Sequence, residues 1–154
     1  MSATTLDRLA RSRQRLLSVI SELSEAKLER EGNEGWTVRQ IVTHLIASEA
    51  DHCRVVAVVA RGDAHLLPAT FDLDAHNAQR LAESDTMALP ELLAGLREQR
   101  EKTEALFRWL SEPQLAIVAA HPALGDMTLD NIFRIMALHE TQHTREIEAA
   151  LKDG

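Results

Sequence analysis

Toward its C-terminal end the chain reads His139-Glu140-Thr141-Gln142-His143, an H-E-x-x-H string with histidines four residues apart. On a helix, positions four apart differ by about 40° in rotation and about 6 Å along the axis, so both imidazoles can turn toward one metal ion. The same string is the zinc signature of helical metalloproteases, in which the glutamate is the general base. Those enzymes take a third ligand from downstream, either a glutamate or the last histidine of H-E-x-x-H-x-x-G-x-x-H. Eleven residues follow His143, without a glycine or histidine at that spacing. A protease is therefore not expected, and a third ligand is sought upstream.

The pair alone is a weak signal in a chain with seven histidines. Its setting strengthens it. Ile132, Met136, His139, His143, Ile147 and Ala150 follow one another at helical spacing, so both histidines lie on a core-facing stripe. Two stacked core imidazoles without a cation would need several buried polar partners. The upstream candidate is His44 in TVRQIVTHLIASE, which shares a helix face with Ile41, Leu45 and Ser48. His52, eight residues on, is about 12 Å further along the axis and is expected at the surface or outside the ligand shell. Cys53 is expected to be an ordinary small buried residue. His65, His76 and His121 fall in connections, where solvation is the default. Glu140 points about 100° away from His139; a solvated or outer position is preferred for it over a general-base role. Glu49 and Glu146 can pair with ligand imidazoles, but helix-surface charge is the simpler expectation.

These residues need elements to hold them. Leu6, Leu9, Leu16, Leu17, Ile20 and Leu23 predict a first amphipathic helix over roughly residues 4 to 23. The linker SEAKLEREGNEG follows. Thr37 and Gln40 have capping-box spacing, with Trp36 and Ile41 at the staple positions, for a helix reaching about Ala60. Residues 61 to 88, with Gly62, Pro68 and the polar stretch DLDAHNAQRLAES, are too long for a tight turn and predict a crossover connection. Pro90 opens a third helix, whose stripe of Leu92, Leu93, Leu96, Thr103, Leu106, Phe107 and Leu110 runs to about residue 110. SEPQLAIVAAHPALGDM interrupts, and Thr128 caps a fourth helix reaching about Leu151, with Met127 and Ile132 as staple partners. No strand is expected. The fold class is all-α, a four-helix bundle with a long crossover connection, in one domain spanning 1–154.

Composition narrows the partners. A formal net charge of -7 lacks the basic footprint of nucleic-acid or anionic-membrane binding. An apolar run such as VVAVVA is too short to span a bilayer, and the N-terminal stretch is broken by charge. A single cysteine fits a reducing compartment, so a cytoplasmic protein is expected.

Three stretches resemble the DinB-like (YfiT-like) family of metal-dependent bacterial enzymes: WTVRQIVTHLIASE (36 to 49), FDLDAHNAQRLAE (71 to 83) and HPALGDMTLDNIFRIMALHETQH (121 to 143). The resemblance covers nearly the whole chain. It implies an up-down-down-up bundle, often a homodimer, with a divalent metal, zinc or nickel foremost, on His44, His139 and His143. It also implies a small-molecule substrate and, in members with assigned activities, a low-molecular-weight thiol such as bacillithiol, mycothiol or glutathione. The leading expectation is a thiol-dependent S-transferase. Two alternatives stay open: metal-hydroxide hydrolysis of a small ester or amide with Glu140 as general base, and a non-catalytic metal- or ligand-binding bundle.

Overall fold

The computed structural model describes residues 4–32, 34–67, 87–121 and 124–152. The expected helical fragment of the crossover, with His76, lies outside them. Four long helices dominate: α1 (Thr5–Ile20), α3 (Val38–Ala60), α4 (Leu89–Trp109) and α6 (Leu129–Lys152). Two single-turn helices accompany them, α2 (Glu25–Leu28) and α5 (Glu112–Leu115), and a 3-10 turn at Ala64–Leu66 follows α3.

The starts are chemically marked. Thr37 accepts from the Gln40 amide while the Gln40 side chain accepts from the Thr37 amide, so two orphan donors at the head of α3 are satisfied reciprocally. Thr4 and Asp7 do the same for α1. Pro90 occupies the first turn of α4, where its missing N–H costs nothing. The Thr128 hydroxyl accepts from the Asn131 amide at the head of α6. α1 ends at Ile20, earlier than its leucine periodicity suggests, and Leu23 packs on the core from the following turn.

Side-chain pairs fix the helix directions. Thr5 donates to Asp130 at 2.6 Å and Arg15 meets Glu148 at 2.9 Å, so α1 and α6 run parallel. Contacts from α3 step backward along the C-terminal part of the chain, His44 to His139 and then His52 to His121, so α3 and α6 are antiparallel. Arg39 donates to the Met87 carbonyl and Glu49 meets Arg100, so α3 and α4 are parallel. The bundle is therefore up-down-down-up.

The expectation of no strand was wrong. β1 (Val118–His121) and β2 (Gly125–Thr128) form an antiparallel hairpin, with Val118 opposite Thr128 and His121 opposite Gly125. Gly125, at φ 85°, supplies a left-handed turn conformation that other residues rarely adopt. A lone hairpin is marginal in water, and this one holds because Ala119 and Met127 pack into the core beside Leu129 and Phe133.

The core comes in two apolar blocks. One gathers Leu16, Ile20, Val38, Ile41, Leu92 and Ile147; the other gathers Leu9, Val56, Leu110, Ile132, Phe133 and Met136. Between them, at mid-height on every long helix, lies a buried polar layer: Ser12 and Arg13 from α1, Glu49 from α3, Arg100 and Thr103 from α4, Glu140 and Thr144 from α6. Two guanidinium groups and two carboxylates balance in charge there. No helix of the described residues is long and apolar enough to cross a membrane.

Candidate metal centre

His44 from the first half of α3 and His139 and His143 from α6 converge on one another. His139 Nε2 lies 3.2 Å from His44 Nε2 and 3.1 Å from His143 Nε2. One ligating atom from each ring fits within 4.8 Å of the other two. The rings meet edge to face, with centroids 4.5 to 5.2 Å apart.

Hydrogen bonding does not account for this triangle. An imidazole Nε2 carries either one N–H or one in-plane lone pair, so His139 Nε2 can satisfy one neighbour and not two. A cation at the centre satisfies all three. Zinc–nitrogen bonds of 2.0–2.1 Å at a tetrahedral angle place the nitrogens about 3.3 Å apart, close to the separations observed. The donor set is compatible with a metal site.

Protonation state suits the same role. Burial, followed by the neighbouring His143, pushes His44 down to about 4; burial, with His143 and then His44, pushes His139 down to about 3. Both rings are thus neutral near pH 7, as ligation requires. The sign for stability follows directly. An unfolded histidine takes up its proton below about pH 6.5, whereas folded His44 refuses it until about pH 4 and His139 until about pH 3. Metal-free protein should accordingly lose stability as pH falls from about 6.5 to about 3. Urea midpoints measured across that range would expose this, and a flat profile would contradict it.

The surroundings correct several expectations. Glu146 is no surface charge: its carboxylate accepts from His143 Nδ1 at 2.9 Å, which fixes the tautomer that leaves Nε2 free to ligate. Trp36 stands edge-on to His44, ring centroids 5.0 Å apart. Glu140, expected to be solvated or outside the ligand shell, is buried in the polar layer. It accepts from Arg13 Nε at 2.6 Å, from Ser12 Oγ at 2.6 Å and from Arg100 Nη2 at 3.0 Å. Glu49, expected on the surface, is likewise buried and accepts from Arg100, Arg13 and Thr103. Burial alone would raise its carboxyl, but the hydrogen bond and charge of Arg100 outweigh that and hold it below the ordinary range.

His52 and His121 stand apart from the triad and were not expected to meet. Their Nε2 atoms lie 2.8 Å apart. The Leu124 amide donates to His121 Nδ1, so His121 carries its proton on Nε2 and donates to His52, whose Nδ1–H in turn donates to the Ser48 carbonyl at 2.6 Å. This chain ties the hairpin to α3. A water-sized cavity of about 10 Å³ lies beside His139, walled by Leu45, Ser48, His52 and Met136. His65 sits exposed on the 3-10 turn. Cys53 is half-buried with Sγ 3.3 Å from Thr103 Oγ1, and burial pushes its thiol up to about 11, so it is held as an unreactive thiol.

Residues 5–147 match the DinB superfamily. The chain belongs to that superfamily. Its fold is similar to several solved structures. One is YfiT from Bacillus subtilis, described as a probable metal-dependent hydrolase with an unusual four-helix bundle topology. It is 22% identical, with a TM-score of 0.77 over 99% of this chain and 90% of that one. Another is TT2238, described as a four-helix bundle protein, 24% identical with a TM-score of 0.68 over 94% of each chain. A third is a mycothiol-dependent maleylpyruvate isomerase, 16% identical, with a TM-score of 0.76 over 95% of this chain but 63% of that longer one. Identities this low establish shared architecture. Among functionally curated proteins, none matches the sequence.

Proposed function

We propose that this DinB-superfamily protein holds one divalent cation, zinc or nickel, on His44, His139 and His143. On that site it acts as a thiol-dependent S-transferase on a small-molecule substrate. The observation that carries the metal reading is the double contact of His139 Nε2, which one imidazole nitrogen cannot satisfy by hydrogen bonding. A cation held by three neutral imidazoles keeps its double charge and makes a thiol or water at its remaining position easier to deprotonate.

The protein's own groups divide the work. Burial keeps His44 and His139 neutral, and Glu146 keeps the His143 lone pair directed inward. Cys53, the only cysteine, is kept protonated, so a thiolate nucleophile has to arrive with a separate small molecule. The mycothiol dependence of one structural neighbour supports the same class. Hydrolysis remains the second reading, favoured by the description of YfiT. Its version with Glu140 as general base finds no support, since Arg13, Ser12 and Arg100 already occupy that carboxylate.

The test is turnover of an electrophilic substrate panel with bacillithiol, mycothiol and glutathione. Conjugation should disappear on chelation and return with zinc or nickel. Undiminished conjugation by protein verified as metal-free would overturn the reading.

A further inference from the structure

The turn between α2 and α3 reaches two of the three histidines from outside the helices that carry them. Trp36 presses edge-on against His44, and Gly32 lies against Glu146, the carboxylate that holds His143. A Cβ built on Gly32 would stand 2.9 Å from Glu146 Oε1 and 3.1 Å from its Cγ, so the Glu146 side chain would have to shift to make room for it. The backbone at Gly32 is not in the left-handed region, so contact with Glu146 and not conformation is what a side chain there would meet.

The turn is held in place, so the shift falls on Glu146 and on its bond to His143. The Gly32 amide donates to the Trp36 carbonyl at 2.8 Å, the Gly35 amide donates to the Gly32 carbonyl at 3.1 Å, and the Val38 amide donates to the Arg30 carbonyl at 2.9 Å. Arg30 Nη1 fastens the turn to α6 by donating to the Leu151 carbonyl at 2.8 Å. On the other side, Glu146 Oε2 is committed to His143.

We infer that Gly32 and Glu146 form a positioning pair, in which the missing side chain at 32 leaves the space that lets Glu146 orient His143 for ligation. The inference rests on the metal reading for its consequence in affinity but not for the orientation itself. Carboxylates that orient ligand histidines commonly change metal affinity by about 10- to 100-fold when lost.

The experiment is a double-mutant cycle read in two ways. Zinc affinity is measured by chelator competition for wild type, Gly32→Ala, Glu146→Ala and the double variant. The His143 tautomer is read by ¹⁵N NMR in the metal-free proteins. Each single variant should weaken zinc binding about 10-fold or more, and the double variant should bind like Glu146→Ala alone, since the clash vanishes with the carboxylate. Gly32→Ala should also release the Nδ1–H tautomer of His143. Wild-type affinity in Gly32→Ala with the tautomer retained would overturn the inference, as would losses that simply add. If wild type binds no zinc yet shows the tautomer fixed and released by Gly32→Ala, the positioning pair stands and the metal reading falls.

Discussion

Replacing Arg100 with alanine is expected to destabilise the fold by about 3–5 kcal/mol, measured by urea unfolding. Arg100 donates to both oxygens of Glu49, to Glu140 and to the Leu9 carbonyl, so it joins α1, α3, α4 and α6 at one point. Its removal leaves Arg13 alone against two buried carboxylates, and the one uncompensated buried charge costs far more than the intact pair contributes. Lysine should rescue little, because an ammonium lacks the planar fork that serves four acceptors at once. A loss below about 1 kcal/mol for Arg100→Ala would mean that the layer is hydrated or rearranges freely.

His139→Ala should abolish stabilisation by zinc. Wild type should gain about 2.7 kcal/mol at a free zinc concentration one hundred times its dissociation constant, since the folded state alone presents the three-nitrogen site. His139 is the ring that touches both others, and its loss should weaken binding by about 100-fold or more, beyond the range seen for outer groups. His52→Ala should leave the zinc-dependent shift in melting temperature intact, because His52 pairs with His121 and not with the triad. Equal zinc shifts in wild type and His139→Ala would remove the triad from consideration.

The two predictions concern features that differed in how plainly the sequence displayed them. The four helices were legible because their apolar stripes are long and their heads carry marked residues such as Thr37 with Gln40 and Pro90. His139 and His143 were visible as polar interruptions of an apolar stripe. Arg13 and Arg100 interrupt stripes in the same manner, Arg13 between Leu9 and Leu16 and Arg100 between Leu96 and Thr103. A charge at a core-facing position needs a buried partner of opposite sign, so those gaps could have pointed to Glu49 and Glu140.

Other features had no comparable signal. The hairpin is two four-residue strands whose stability comes from packing on α6, a tertiary effect that local pattern does not carry. The His52–His121 pair joins residues 69 positions apart through a turn whose path depends on that hairpin. Glu146 reads as an ordinary helix charge until Gly32 and His143 are placed around it.

The most direct test of the central claim is metal content by plasma mass spectrometry on tag-free protein after equilibration with zinc or nickel, with His44→Ala, His139→Ala and His143→Ala measured beside it. The account predicts about one ion per wild-type chain and a loss of that ion in each variant. Wild-type protein that retains no ion after equilibration, or variants that retain as much as wild type, would contradict it.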